Sequence, residues 1–329
     1  MQDAYTAADK AATSASLVET DTAPDLSAPS TAASVRDGVV SVVDNTSNAP
    51  VVAAVASATE VVADAPLPPT RPTDEEILRF ERQIKAETMQ VPLVGDMVDF
   101  QALQEEYETG LPVYVEKIQH LKKTCLGMRN VRKDGNCFYR AFGFRLAELV
   151  FEQRGLPWHQ AILQRARDTK ALMSAMGYDM SILEDFWEKF QEVLLITEMD
   201  SGGVLKAFQT DYISDTVVCY LRLVTAALLK RDRDIYEAFV LGEYLSLDSF
   251  IGECVEPMNV ESDQIHIVTM ANIFGVDIRI GNLDTTTSTQ GINFHEISPM
   301  EPMQIDESPM ISLLYRPGHY DVLYPRPLV

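Results

Sequence analysis

Two kinds of hydrophobic periodicity follow one another along this chain, and their order constrains the fold more than any other feature. Between residues 73 and 256, apolar residues recur at intervals of three and four, as in Ile182, Phe186 and Phe190, which is the spacing of amphipathic helices. After Pro257 the spacing shortens toward two, which is typical of strands. Helices followed by short strands predict an α+β fold, with a helical N-terminal part packed on a small C-terminal β-sheet.

The C-terminal strands are marked by alternation and by turn residues. The strand patterns fall at residues 276–281, 293–297, 311–315 and 319–324. A helix pattern at 264–274 precedes them, and Gly275 is placed to end that helix in the left-handed conformation. Arg316, Pro317 and Gly318 form a turn sequence between the last two strands. We therefore expect a meander of short strands at the end of the chain.

The first 73 residues differ from the rest in composition. Residues 1–73 consist largely of Ala, Ser, Thr, Val, Asp and Pro, with neither Phe nor Trp. Such a segment cannot bury enough apolar surface to offset the entropy lost on ordering. The sequence thus predicts a disordered, low-complexity tail at 1–73 and one folded domain at 74–329, whose first part, about 74–123, is helical.

The folded part begins with a helix-start signal. Thr73 is a candidate N-cap, and Glu76, three residues on, completes a capping box. Ile77, Phe80 and Ile84 then fall on one face of the predicted helix. This apolar face has two interpretations: it packs on its own domain, or it is free to contact a partner.

The net charge of −22 over 329 residues limits the partners that this chain can bind. An acidic surface repels nucleic acid and anionic lipid, so we expect no nucleic-acid and no membrane partner. No run of about 18 uncharged apolar residues is present to span a bilayer, and no apolar signal region follows Met1. We expect a soluble, intracellular monomer in the cytoplasm, with the nucleus left open as a second compartment.

The cysteines are too few for a disulfide framework and lack the C-x-x-C spacing of a zinc site. The chain has Cys125, Cys137, Cys219 and Cys254. Cys137 follows the turn sequence Asp134-Gly135-Asn136 and precedes a helical pattern. Gly135 permits a sharp reversal, and a thiol at the start of a helix is stabilised as the thiolate by the helix dipole. The backbone amides of the same turn could hold the oxyanion of a tetrahedral intermediate.

A nucleophilic cysteine needs a base, and His319 is the strongest candidate among five histidines. His319 begins the second strand of a tight hairpin, and residues two apart in a strand share a face. Asp321 therefore lies beside His319, where a carboxylate fixes the imidazole tautomer. Composition and spacing alone favour the alternative interpretation, in which Cys137 is an inert core thiol and His319 is a surface turn residue.

Four longer segments resemble the otubains, which are cysteine deubiquitinases of the ovarian tumour (OTU) family. The sequence KDGNCFYRAFGF at 133–144 resembles the otubain signature, and LLYRPGHYDVLY at 313–324 resembles the otubain histidine motif. VVCYLRLVT at 217–225 and VEPMNVESDQIHI at 255–267 agree as well. The resemblance covers about 74–324 in the family's order, and it implies a papain-like α+β fold.

The resemblance also implies roles for four residues. The family's nucleophile falls on Cys137 and its general base on His319. The aspartate of the D-G-N-C motif, which the family counts in its catalytic site, falls on Asp134. The acidic or amide residue two positions after the histidine falls on Asp321. The strand geometry favours Asp321 as the residue that orients His319, and Asp134 is left as a residue that shapes the oxyanion turn.

The reaction implied by the resemblance is hydrolysis of the bond between the ubiquitin C-terminus and a lysine amine, through a thioester and without any metal or organic cofactor. The implied substrates are polyubiquitin chains of the linkage that directs proteins to the proteasome. One alternative is a non-catalytic binder that inhibits ubiquitin-conjugating enzymes, in which the helix near 73–87 corresponds to the family's ubiquitin-contacting arm. Another is a peptidase for a different ubiquitin-like modifier.

Overall fold

The architecture is known from a computed structural model, which describes part of the chain. The described residues are 73–152, 154–196, 202–287, 291–303 and 309–327. The chain divides into two units, Met1–Pro68 and Pro69–Val329, and every described residue belongs to the second unit. The predicted tail at 1–73 lies outside the described residues except for Thr73, and its disorder stays a prediction.

Helices form most of the described structure. They are α1 (Asp74–Thr88), α2 (Gln101–Tyr107), α3 (Pro112–Thr124), α4 (Cys137–Glu152), α5 (Pro157–Ala175), α6 (Met180–Leu194), α7 (Gly202–Gln209), α8 (Asp211–Arg231), α9 (Arg233–Val240), α10 (Leu247–Phe250) and α11 (Gln264–Phe274). Helix α10 continues into a π-helical segment, Ile251–Val255. The strands are β1 (Val94–Val98), β2 (Cys125–Val131), β3 (Asp277–Asn282), β4 (Asn293–Ile297), β5 (Met310–Arg316) and β6 (His319–Pro325).

The predicted helix signals are confirmed at both ends of the helical part. The backbone amide of Thr73 donates to Glu76 Oε2 at 2.8 Å and the amide of Glu76 donates to Thr73 Oγ1 at 3.3 Å, which is the capping box that begins α1. Gly275 ends α11 with a φ of 68°. One residue, Val276, separates this left-handed glycine from β3.

The six strands form one mixed sheet in the order β1-β2-β6-β5-β3-β4. The α+β class is confirmed, but the predicted meander is wrong in two respects. Strands β1 and β2 come from the N-terminal half and were not predicted, and β5 pairs parallel to β3 rather than antiparallel to β4. Strand β5 is largely buried on both faces, as a central strand requires.

Helix α4 lies at the centre of the main core, between β6 and α8. Its residues are buried on all sides rather than along one stripe, because a helix enclosed by a sheet and other helices needs apolar residues all round. Gly143 allows the close approach of α8, since a Cβ atom there would lie 3.0 Å from Leu221 Cδ1. The first residue of this enclosed helix is Cys137.

Helix α8 is the partner of α4 in the core. By length and composition α8 is apolar enough to cross a membrane, but 72% of its most apolar window is buried inside the described fold. It packs against α4, α5 and α6. Its apolar character is therefore that of the central helix of a packed domain.

Candidate active site

The turn before α4 has the conformation that the sequence predicted. Gly135 has a φ of 76°, in the left-handed region, and the amide of Asn136 donates to Asp134 Oδ1 at 2.9 Å. A Cβ atom on Gly135 would lie 2.4 Å from the backbone carbonyl of Asn259, so no larger residue fits there without a shift. Among the described residues, the backbone amides of Gly135 and Cys137 donate no hydrogen bond.

Cys137 is the first residue of α4, the helix that packs against β6. The residue is only 3% exposed. Burial raises the pKa of the Cys137 thiol to about 11. The backbone amide of Tyr320 lowers this pKa, whereas the carboxylates of Asp134 and Asp321 raise it further. The predicted thiolate-stabilising effect of the helix start is thus outweighed by burial, and the resting group is a neutral thiol.

His319 and Asp321 form the predicted pair on one face of β6. The Nε2 atom of His319 lies 2.8 Å from Oδ1 of Asp321. Both side chains are buried. The other ring nitrogen, Nδ1, is buried and has no hydrogen-bond partner among the described residues. Strand β6, which carries this pair, packs against α4, the helix that begins at Cys137.

Asp321 is held by three groups besides burial. Arg316 Nη2 lies 2.7 Å from Oδ2 of Asp321, and the amide of Val131 donates to Oδ1 at 2.9 Å. Burial alone would raise the pKa of the Asp321 carboxyl. The hydrogen bond from His319, the charges of His319 and Arg316 and the Val131 amide together hold that pKa below its ordinary value. The carboxylate that faces His319 is therefore ionised at neutral pH.

Asp134 lies on the other side of the turn and does not bond to the imidazole. Its Oδ2 pairs with Nη2 of Arg140, and its Oδ1 accepts the amide of Asn136. Arg140 is fully buried and also contacts Asp215, at 3.2 Å. In this structure the carboxylate bonded to His319 is that of Asp321, and Asp134 braces the turn that precedes Cys137.

Several residues that touch these groups were not singled out from the sequence. Arg140 carried a usable signal, because it lies three residues after Cys137 on the same helix. Arg316 carried another, because it is paired with His319 across the hairpin. Arg222 and Asn259 lie in the segments 217–225 and 255–267 that resemble the family, but nothing in the sequence assigned either of them a role. Both reach the turn from segments distant in the sequence.

Two open cavities flank the turn and the hairpin. One, of about 630 Å³, is lined by Asp134, Asn136 and Asn259, among others. The other, of about 650 Å³, is lined by Gly318 and Tyr320 and by acidic residues. The two cavities therefore border the turn before Cys137 and the hairpin that carries His319.

The residues described here do not include any group of three or more His, Cys, Asp or Glu side chains placed to hold a metal ion. A third open cavity, of about 600 Å³, is lined by residues of α5, α8 and α11 and contains none of the four predicted site residues.

A thiol at the start of a helix, packed against a strand that carries a histidine bonded to a buried carboxylate, is the arrangement of a cysteine peptidase. The sequence model of the family Peptidase C65 Otubain matches residues 86–325. The chain belongs to the otubain family. The predictions of an otubain, of a papain-like α+β fold and of a cysteine-type deubiquitinase are thereby confirmed at the level of the family.

Similar proteins cover most of the chain. The Arabidopsis thaliana protein named OVARIAN TUMOR DOMAIN-containing deubiquitinating enzyme 1 is 34% identical over 255 residues, which are 73% of this chain and 83% of that protein. The human protein named Ubiquitin thioesterase OTUB1 is 33% identical over 255 residues, 76% of this chain and 90% of that protein. A solved structure described as h/ceOTUB1-ubiquitin aldehyde-UBC13~Ub is 30% identical, has a TM-score of 0.66, and is covered to 98% by 77% of this chain.

Proposed function

We propose that this chain is a thiol isopeptidase that hydrolyses the bond between the ubiquitin C-terminus and a lysine amine. The observation that carries the proposal is the His319–Asp321 hydrogen bond of 2.8 Å on strand β6, which packs against the helix that begins at Cys137. The names of the relatives, ubiquitin thioesterase and deubiquitinating enzyme, support ubiquitin as the modifier.

Acylation begins with the neutral thiol. Asp321 accepts a hydrogen bond from Nε2–H of His319, which leaves the lone pair on Nδ1 free to take the proton of Cys137 as the sulfur attacks the carbonyl carbon. The carbonyl oxygen becomes an oxyanion, which the amides of Gly135 and Cys137 stabilise. His319 then gives its proton to the departing lysine amine, and the ubiquitin C-terminus stays bound to Cys137 as a thioester.

Deacylation uses the same groups in reverse order. His319 takes a proton from water, the oxygen of that water attacks the thioester carbon, and the sulfur of Cys137 leaves as the bond to carbon breaks. The proton on His319 returns to the sulfur. The products are a free ubiquitin carboxylate and the original thiol, so that no cofactor is consumed.

The substrates that we propose are polyubiquitin chains of the proteasome-targeting linkage, the preference that the otubain resemblance implies. The net charge of −22 favours a protein with basic edges around its binding face, as ubiquitin has. Carboxylates in both cavities beside the turn and the hairpin supply part of that acidic surface.

We propose a second role, binding of ubiquitin-conjugating enzymes. Helix α1 exposes an apolar face: Ile77 is 38% exposed, Leu78 51% and Phe80 64%. These exposures favour the free arm over a helix packed on its own domain. The similar solved structure contains UBC13~Ub, which supports a conjugating enzyme as the partner.

The test of the first role is cleavage of a panel of di-ubiquitins of all linkages by the wild-type chain and by Cys137→Ala. We expect cleavage of the proteasome-targeting dimer, abolished by the substitution. Failure to cleave any dimer, in folded protein that still binds ubiquitin, would refute the isopeptidase and leave the binding role. Electrophilic probes built on related modifiers test the remaining alternative, since labelling by one of them but not by ubiquitin would change the substrate.

The test of the second role is binding of a ubiquitin-loaded conjugating enzyme to the wild-type chain and to Phe80→Ser. We expect weaker binding and an unchanged rate of di-ubiquitin cleavage by the variant. Equal binding by both proteins would show that the exposed face of α1 is not the contact surface.

A further inference from the structure

Arg222 is a fully buried cation that contacts the turn Asp134-Gly135-Asn136, called here the oxyanion turn. It belongs to α8, far from the turn in sequence, and its residue exposure is 0%. Its Nη2 atom donates to the carbonyl of Gly135 at 2.9 Å and to Oδ1 of Asn136 at 3.0 Å. One guanidinium thus binds two consecutive residues of the turn that precedes Cys137.

The same guanidinium binds a second segment. Nη2 donates to the carbonyl of Val260 at 2.6 Å, and Nη1 donates to the carbonyl of Val255 at 3.1 Å. Within the described part of the chain, Arg222 has no carboxylate within ion-pair distance, and the ring of Tyr139 lies 4.8 Å from its central carbon. Its charge is therefore compensated by backbone and amide oxygens of the two segments that it joins.

Asn259 connects the two segments a second time. Its backbone amide donates to Oδ1 of Asn136 at 2.8 Å, and Nδ2 of Asn136 donates to Oδ1 of Asn259 at 2.9 Å. Asn259 has a φ of 64°, which is strained for a residue other than glycine. Strain at such a position is retained where the surrounding contacts require that backbone conformation.

We propose that Arg222, with Asn136 and Asn259, forms a clamp that holds the oxyanion turn in its catalytic conformation. Arg222 is a positioning residue for the reaction. The inference rests on the proposed function, because the clamp acts through the amides of Gly135 and Cys137 on the oxyanion of the acyl transfer.

The geometry of the turn explains why the clamp affects stabilisation of the oxyanion. The carbonyl and the amide of one peptide point in opposite directions, so binding the Gly135 carbonyl to Arg222 directs the Asn136 amide to Asp134. The bond from the Asn136 amide to Asp134 fixes the conformation of the turn. In that conformation the amides of Gly135 and Cys137 stay free to bind the oxyanion. Preorganised donors of this kind lower the free energy of the transition state, and losing one costs about 10²-fold to 10³-fold in kcat.

The experiment compares hydrolysis of a fluorogenic ubiquitin C-terminal amide with alkylation of Cys137 by iodoacetamide at one alkaline pH. Hydrolysis needs the oxyanion donors, and alkylation needs only the thiolate. For Arg222→Met we expect kcat to fall about 100-fold, with KM and the alkylation rate within about threefold of wild type. Arg222→Lys keeps a charge and up to three donors, so we expect a smaller loss of about tenfold.

Two further variants keep the test decisive. Asn259→Gly, at an exposed residue, keeps the positive φ and the backbone bond to Asn136 but removes the side-chain bond from Asn136 Nδ2. It is expected to lower kcat about tenfold without unfolding the chain. Lys117→Met is the control, because Lys117 is also a buried cation bonded to backbone carbonyls, of Asn282 and Asp284, away from the turn; unlike Arg222, it also pairs with the Asp284 carboxylate. It is expected to lose stability but to keep the kcat of the folded protein.

The clamp would be overturned by a kcat within twofold of wild type in folded Arg222→Met, or by hydrolysis and alkylation falling in equal proportion. If Arg222→Met does not fold, an unchanged kcat in Asn259→Gly overturns it instead. Failure of the proposed function looks different, since the wild-type chain itself would then hydrolyse no ubiquitin amide.

Discussion

The Nε2 atom of His319 lies 2.8 Å from Oδ1 of Asp321, two residues further along the same strand. This bond selects the tautomer of the imidazole with its proton on Nε2, because the ionised carboxylate can only accept. The unpartnered Nδ1 atom is then the basic site. The order of events in the proposed reaction follows from that tautomer.

The two aspartates are expected to differ in their effect on catalysis. Asp321→Asn replaces the acceptor of His319 by an amide that can donate to Nε2 and favour the wrong tautomer, so kcat should fall about 10³-fold to 10⁴-fold. Asp134→Asn weakens the ion pair with Arg140 but leaves His319 bonded, and its kcat should fall only about tenfold. Hydrolysis of a fluorogenic ubiquitin amide measures both. Equal losses would contradict the predicted difference between the two aspartates, and the reverse order would assign the orienting role to Asp134.

Strand geometry explains why the His319–Asp321 pair could be predicted while the function of Asp134 could not. Alternation along β6 is a local property, and it places residues two apart on one face. The direction of the Asp134 carboxylate depends instead on Arg140 and Asn136, whose positions are set by packing. The sequence therefore predicted both candidates, and only the structure separates them.

For the fold as well, local features could be predicted from the sequence, while tertiary features could not. The helix starting after Thr73 and the helix end at Gly275 were marked by local capping residues. Strand β2 was missed because it begins at Cys125 directly after the last residue of α3, Thr124, with neither Gly nor Pro between them. The parallel pairing of β3 and β5 was missed because strand pairing depends on tertiary packing. The hydrophobic periodicity of a single strand carries no information about its neighbours in the sheet.

Arg316 is expected to protect the fold against acid. The pKa of Asp321 is held below its ordinary value, so its contribution to stability is complete above the unfolded pKa of about 3.9 and is lost as the pH falls through the folded pKa. Arg316→Met removes one of the charges that hold this pKa down. Circular dichroism across an acid titration should show unfolding of the variant at a higher pH than wild type.

Glu106→Gln is the control for this titration, because Glu106 pairs with Arg316 at 3.0 Å from an exposed position and should change the acid midpoint little. Identical midpoints for wild type and Arg316→Met would contradict the account of Asp321.

The Cys137 thiol is expected to titrate at alkaline pH in the free enzyme. Burial raises its pKa to about 11, so the rate of alkylation by iodoacetamide should rise steadily from neutral pH to about pH 10 without a plateau. Peptide mass spectrometry separates this site from the other cysteines. A plateau below about pH 8 would instead show a preformed thiolate paired with an imidazolium.

Gly135 is expected to tolerate no side chain. Gly135→Ala places a Cβ atom 2.4 Å from the backbone of Asn259 at a φ of 76°, so the turn must shift and kcat should fall about 100-fold or more. Gly155→Ala is a matched control, since Gly155 has a φ of 92° with no atom within 4 Å. It should lose about 1–2 kcal/mol of stability from backbone strain alone and keep its kcat. Similar kcat values for the two variants would show that the contact with Asn259 is unimportant.

The central claim is that Cys137 is the nucleophile, and covalent capture tests it most directly. The wild-type chain is incubated with ubiquitin that carries a C-terminal electrophile, and the site of attachment is identified by peptide mass spectrometry. We expect one ubiquitin per chain, attached to Cys137, with no adduct in Cys137→Ala and a strongly slowed reaction in His319→Ala. An adduct on another cysteine, or none in wild-type protein that binds ubiquitin, would contradict the claim.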